Sequence, residues 1–310
     1  MSSPPSVWHP GEHALQSRSG VAERMAEVGA RVVRASMPDQ HREFFAQLPL
    51  LYAATLDRQG QPWASVLAGP PGFVQSPAPD LLRIRAAALP HDPWRQHLAP
   101  GAPIGLLGLQ AHTRRRNRMN GRVASMTAAD LAVRVGQSFG NCPKYIQPRE
   151  AVYTEASASA PAAVRVLGEL DAATLRIVEA ADTFFIATAH PQARDPADAA
   201  AGLDMSHRGG PAGFVRVQED GSLLVPDYVG NSFFATYGNL QLEPRCGLLF
   251  IDFATGERLH IAALAEVLWQ GPEVAALPGA LRAVRLQVLQ VTHLTGGLPL
   301  RFREAPASPP

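Results

Sequence analysis

A chain of 310 residues, 46% of them hydrophobic, is long enough for two ordinary domains with a core in each. Its 28 Lys and Arg nearly balance 27 Asp and Glu, so nothing global points to a nucleic-acid or membrane surface as partner. Two cysteines, Cys142 and Cys246, are too few for a disulfide framework; with no long apolar run and no charged-then-apolar leader, the expected setting is the cytoplasm.

Helices open the chain. "GVAERMAEVGARVVRA" has apolar residues at helical spacing, and "PDQHREFFAQ" follows it. "LPLLYAATLD", "RQGQ" and "PWASVLAG" read as strand, turn and strand, and "LLRIRAAAL" as a further strand. "IGLLGLQAH" and "RNRMNGRVASM" are two more, joined at a Thr-Arg turn. The small, polar, proline-bearing "PREAVYTEASASAPAAV" then connects two units, placed at residues 1–159 and 160–310. The second opens with the helix "LDAATLRIVEAA" behind a cap at Asp171. It continues with the strands "TFFIATAH", "GFVRVQ", "SLLVPDY", "CGLLFIDF" and "LHIAALAEVLW". Short apolar runs punctuated by glycine suit a closed barrel, which leaves no strand edge unpaired. The closing "EAPASPP" reads as a tail or the start of a linker.

The two units spell related text. "ASVLAGPPGFV" lies on "DMSHRGGPAGFV", so that Ser65 meets Ser206, Gly72 meets Gly213 and Phe73 meets Phe214. One residue of slack later, Gly105 meets Gly247, Thr113 meets Thr255 and Arg116 meets Arg258. A register kept this long reads as one fold unit present twice, with a period too long for a solenoid.

The copies differ where chemistry would sit. In "PDYVGNSFFATYGNLQLEPR" the second unit offers Asn231, Thr236 and Asn239 among glycines, with Ser206 and Arg208 on the preceding strand. Backbone N–H groups, hydroxyls and a guanidinium fork of this kind close on an anion, although Asn and Gly equally serve a turn and a helix cap. The first unit has Leu67 in place of Arg208, Trp94 in place of Thr236 and His97 in place of Asn239. Conversely, Asn120-Gly121-Arg122 of the first unit falls on Ala262-Ala263-Leu264 of the second. The arginine-rich "HTRRRNRMNGR" is either a solvated face or a site wall; on a strand, Arg116, Arg118 and Arg122 alternate and share one side. Neither cysteine stands in a redox pair, so both are expected to be packed thiols. His190, His207, His260 and His293 lack metal-ligand spacing, so no metal site is expected; His207 should point to the strand face opposite Arg208.

These residues together resemble the pyridoxamine 5′-phosphate oxidase-like flavoproteins, the FMN-binding split barrels. "SHRGGPAGFV", "VPDYVGN" and "EPRCGLLF" match three family elements in the second unit, and "MNGRV" and "GNCPKYI" match its N-G-R strand and C-x-K helix in the first. The resemblance spans roughly residues 40–300. The chain departs from it in "LEPR", where the family has Asn-Pro, and in lacking N-G-R and C-x-K in the second unit.

The resemblance implies a mainly β protein with flanking helices, built as two tandem split β-barrels that form a pseudo-dimer. Family dimers build two equal flavin sites between subunits; here one site is implied. Ser206, Arg208, Asn231, Thr236 and Asn239 would supply its phosphate side, and Arg118, Asn120, Arg122 and Lys144 would come from the first unit. The implied cofactor is FMN or FAD, with haem carried by a related group. The implied activity is flavin-dependent oxidoreduction of a small-molecule substrate, with NAD(P)H or a ferredoxin reductase-like protein as electron donor. The alternative is a flavin- or haem-binding sensor or electron relay without turnover. No residue stands out as catalytic, and the expected assembly is a monomeric pseudo-dimer or a homodimer.

Overall fold

The computed structural model describes residues 6–86, 89–155, 161–195 and 197–305. The terminal tail and the middle of the inter-unit connection lie outside them. Three helices come first: α1 (Pro10–Arg18), α2 (Ala22–Val32) and α3 (Asp39–Ala46). The first sheet then uses β1 (Leu50–Leu56), β2 (Pro62–Ala68), β3 (Val74–Ala78), β4 (Leu81–Ile84), β5 (Pro103–Gln110), β6 (Arg115–Met126) and β7 (Leu131–Gly140). After β8 (Arg149–Tyr153) and β9 (Ala163–Leu167), helix α4 (Ala172–Ala180) leads into the second sheet. That sheet uses β10 (Thr183–Ala189), β11 (Leu203–Gly209), β12 (Arg216–Val217), β13 (Leu223–Asp227), β14 (Arg245–Ile251), β15 (Arg258–Leu268) and β16 (Arg282–Thr295). Helix α5 (Ala235–Leu242) precedes β14, the short α6 (Pro272–Ala275) precedes β16, and β17 (Leu300–Glu304) closes the chain by pairing with β8.

The two sheets run in the same order. The first is β2-β1-β5-β6-β7-β4-β3 and the second β11-β10-β14-β15-β16-β13-β12, with β9 added on β16. Irregularities match as well: the β6–β7 register shifts at Asn120/Gly121, and the β15–β16 register shifts at the corresponding Ala262/Ala263. Each sheet encloses its own apolar core, around Phe44, Leu82 and Trp94 in one and Phe184, Phe250 and Ile261 in the other. The fold is therefore mainly β with flanking helices, two split barrels in tandem.

Neither sheet closes on itself. Among the described residues each is an open path, ending at β2 and β3 or at β11 and β12, which corrects the expected closed barrel. The other unit covers the exposed edge instead. Strand β2 packs on β10, β14 and β15, while β11 packs on β1 and β5. An edge buried against a partner needs no closure.

The packing has the reciprocity of a two-fold interface. A Cβ on Gly105 would stand 2.6 Å from the carbonyl oxygen of Leu203, and a Cβ on the matching Gly247 would overlap the carbonyl of Pro62. Only glycine lets the sheets approach this closely. On the axis, Tyr52 and Phe185 occupy equivalent strand positions and stack at 3.6 Å. A third core, with residues from both units, surrounds that pair.

Local signals fared unevenly. Asp171 caps α4 by accepting from the N–H groups of Ala173 and Thr174, as its sequence position suggests. The residues Asn141–Pro148 form no helix, so Lys144 sits on a turn rather than at a helix start. Helix α1 and strands β7 and β16 are not among the expected elements, although Leu131, Val133 and Val135 and then Val284, Leu286 and Val288 alternate as strand residues do. Helix α1 is placed by tertiary packing: Gly11 lies against Gly238 of α5, and His9 and Glu12 form a capping box. No helix among the described residues is long and apolar enough to cross a membrane.

Candidate functional site

A cleft lies between the units, walled by β6 and the Asn141–Tyr145 turn of the first and by β11, β13 and the Tyr228–Tyr237 segment of the second. Arg116, Arg118, Lys144, Arg208 and Arg282 line it, and Asp227 is the one carboxylate among the described lining residues. Its enclosed floor, about 170 Å³, is smaller than a whole small-molecule pocket of ~300–1,000 Å³, and so suits one end of a ligand.

The arginines are held mostly by groups on other segments. Arg118 donates from Nη1 to Asp204 Oδ1 at 3.0 Å and from Nη2 to Ser206 Oγ. Thr236 Oγ1 donates to the same Ser206 oxygen at 2.9 Å. Arg116 donates to the carbonyl of Cys142 and to His207 Nδ1 at 3.1 Å. Arg208 lies 4.7 Å over the Tyr237 ring and 3.5 Å from Asp227, while Arg282 pairs with Asp227 at 2.7 Å.

So many cations in one place are unfavourable alone. Burial, with Arg118 and Arg208 beside it, lowers Arg116 to about 10. The buried polar atoms left without a partner point the same way. Arg116 Nε, Arg118 Nε and Asn141 Nδ2 are all donors on side chains that line the cleft. Buried donors of this kind are satisfied by an acceptor, from a ligand or from water, and a ligand rich in acceptors suits them. The backbone adds strain: Tyr145, Ser232 and Phe234 all have φ near +62°, a region costly for non-glycine residues and most of all for bulky ones.

The structure brings Ser206, Arg208, Asn231, Thr236, Lys144 and Arg118 together in the cleft lining. Asn239, Asn120 and Arg122 lie outside it. Asn120 Nδ2 donates to Asp204 Oδ1 at 2.8 Å, and Asn239 Nδ2 reaches Thr188 Oγ1 at 3.2 Å and Asp204 Oδ2 at 3.4 Å. Both therefore hold the carboxylate that holds Arg118. Arg122 binds the carbonyls of Ala193, Arg194 and Asp195 instead. Pairing of β6 with β5 runs unbroken from Arg115 to Arg122, so Arg122 keeps the face of Arg116 and Arg118 and meets the second unit beyond the end of the cleft; the residue skipped at the register shift is Gly136 of β7. Sequence reasoning passed over Asp204, Asp227, Tyr237 and Arg282. Asp204 and Asp227 stood inside the quoted motifs, whereas Arg282 opens β16, a strand that is not among the expected elements.

The matching position on the other side of the pseudo-axis is filled. Trp94, only 1% exposed, stands where Thr236 stands in the open site. Asp92 caps its turn and accepts from Ser65 Oγ at 2.7 Å, the serine equivalent to Ser206. The equivalents of Arg116 and Arg118, namely Arg258 and His260, are sealed beneath with no exposure.

No family model matches the chain, and no curated protein does. The matching solved structures align with half of it or less. A haem storage protein of Vibrio cholerae is 16% identical with a TM-score of 0.29, covering 42% of this chain and 96% of its own. An FAD-binding protein of Mesorhizobium loti is 14% identical with a TM-score of 0.28, covering 42% and 96%. A Clostridium acetobutylicum protein related to a general stress protein, of the pyridoxinephosphate oxidase family, is 11% identical with a TM-score of 0.26, covering 43% and 92%. Likeness of this depth carries no assignment of ligand.

Proposed function

We propose that the chain is a duplicated split-barrel flavoprotein that holds one FMN or FAD in the inter-unit cleft and acts as an oxidoreductase on a small molecule. The observation that supports it most is the cleft lining: five cationic side chains from both units and the hydroxyls of Ser206, Ser232 and Thr236, with unpartnered buried donors among them. A phosphate ester fits such a donor set, since charge-assisted hydrogen bonds to phosphate are the strong ones. In this reading Arg208, Ser206 and Thr236 bind the phosphate. Arg118 is oriented by Asp204, and Lys144 and Asn231 close the rim. A bound flavin supplies electron or hydride transfer; the protein binds it, orients it and sets the charge around it. The first unit (residues 1–159) and the second (residues 160–310) then act as the two halves of a pseudo-dimer. The electron donor in this reading is NAD(P)H or a reductase-like partner.

The absorption spectrum of the purified protein, with mass spectrometry of the released cofactor, tests the proposal. A yellow protein bleached by NAD(P)H supports it. A colourless protein that binds no added flavin rejects it, and a Soret band in place of flavin bands replaces it with a haem-binding role. Residues 160–310 expressed alone should bind flavin poorly, because Arg116, Arg118 and Lys144 are missing and the shared core is exposed. Equal affinity in the isolated half would remove the shared-site reading.

A further inference from the structure

A second cavity, of about 390 Å³, lies beside the cleft and shares a wall with it. His207 lines both. The cavity sits on the pseudo-axis: Leu50 and Tyr52 come from the first unit, Phe185 and Phe253 from the second, and the β8–β17 pair covers it with Ala151 and Phe302. Its size falls within the range of small-molecule pockets, and its walls are mostly apolar and aromatic.

Its inner charges are already used. Arg149 pairs with Asp182 at 2.6 Å and lies 3.8 Å over the Phe253 ring. His207 carries no charge, because burial and the neighbouring Arg116, Arg208 and Arg149 drive its pKa well down. The remaining charged lining groups, His112 and Glu150, are exposed, and burial pushes the pKa of the Tyr52 phenol up. A charged ligand would lose its hydration without gaining a counter-charge.

Gln47, Gln110, Gln147, Tyr52 and Thr183 add polar atoms to the wall, and His207 is its buried imidazole. Arg116 can only donate, so the 3.1 Å contact makes His207 Nδ1 the acceptor and places the proton on Nε2. That Nε2–H has no partner among the described residues. We infer that this cavity is a ligand site distinct from the cleft, built for a flat, uncharged aromatic molecule with one hydrogen-bond acceptor, such as an aryl ketone, which His207 Nε2–H receives. The cavity can hold such a ligand whether or not the cleft holds flavin, so the two readings fail separately.

The test uses the full chain and the uncharged naphthyl ketone Prodan, whose emission shifts to the blue in apolar surroundings. Saturable binding at one Prodan per chain with a blue shift is expected. Ala151→Trp and, independently, Ala111→Phe each place bulk in the cavity and should weaken binding at least tenfold while circular dichroism stays native. His207→Phe should weaken Prodan binding about tenfold, the loss of one hydrogen bond, yet leave methylnaphthalene affinity unchanged. Non-saturable binding, or binding indifferent to both filling variants, overturns the site. Equal loss of Prodan and methylnaphthalene in His207→Phe overturns the acceptor requirement. Displacement of Prodan by FMN makes the cavity part of the cofactor pocket and overturns its independence. Prodan binding without any flavin binding sustains this site and rejects only the flavin reading.

Discussion

Replacing Arg208 by alanine should separate cofactor binding from folding. The guanidinium is partly open to the cleft and its nearest carboxylate oxygen, on Asp227, is 3.5 Å away, so little of its hydrogen-bonding capacity is spent within the protein. A charge-assisted hydrogen bond to phosphate contributes about 1.5–3 kcal/mol, so its loss should weaken flavin binding roughly ten- to hundredfold. Folding should change little. Asp227 keeps Arg282 at 2.7 Å and is not left as an unpaired buried charge. Tyr237 loses a cation over its ring, an effect of about 1 kcal/mol or less at a partly exposed site. Arg208→Lys keeps the charge but loses the fork, and should fall between wild type and alanine. Arg122→Ala is the contrast, because Arg122 binds backbone carbonyls away from the cleft and should leave affinity unchanged. Titration of apoprotein with FMN, followed by quenching of flavin fluorescence, gives the affinities, and urea denaturation gives the stabilities. Equal FMN affinity in Arg208→Ala and Arg122→Ala would refute the assignment of Arg208 to the phosphate.

Released flavin should amount to one per chain, since Trp94 and Asp92 fill the counterpart of the open site; a ratio of two would remove that reasoning. Asp204→Ala should cost about 3–5 kcal/mol in urea denaturation, because it strands the buried Arg118 charge and removes the acceptor of Asn120 and Asn239; a loss below 1 kcal/mol, about that of an exposed pair, would show that the network is loosely held. Stability should also fall with acid. Burial holds His9 down at about 4 from its ordinary 6.5, so below pH 6.5 the unfolded chain takes a proton that the folded chain refuses until about pH 4. His9 adds at most about 1.4 kcal/mol per pH unit to that slope. His9→Asn keeps an N-cap acceptor without titrating, and should flatten the slope measured by denaturation across this window; an unchanged slope would exclude His9 as a contributor.

Local chemistry was legible without coordinates. Short apolar runs and glycine punctuation marked β1, β2, β5 and β10, whose residues face a core on one side and the other unit on the other. Asp171 announced its helix because capping involves only neighbours in sequence. The split of polar residues between the copies pointed to an anion site shared by two units, and six of the nine residues so named meet in one cleft.

The rest depended on contacts far apart in sequence. Parity along β6 placed Arg116, Arg118 and Arg122 on one face, and only the packing of the units showed that Arg122 falls beyond the end of the cleft, on the carbonyls of Ala193 and Asp195. Asn239 became a support for Asp204 where α5 packs on β11, and Asn120 where β6 meets β11 across the interface. The open sheets have the same cause, for an edge that the other unit covers need not close. The sequence by itself marked most of the strands and which residues carried charge. Which charges converge in one cleft, which lies beyond its end and which residues wall the second cavity were decided by two sheets packing face to face, because a buried carboxylate and a shared wall exist only where distant strands meet.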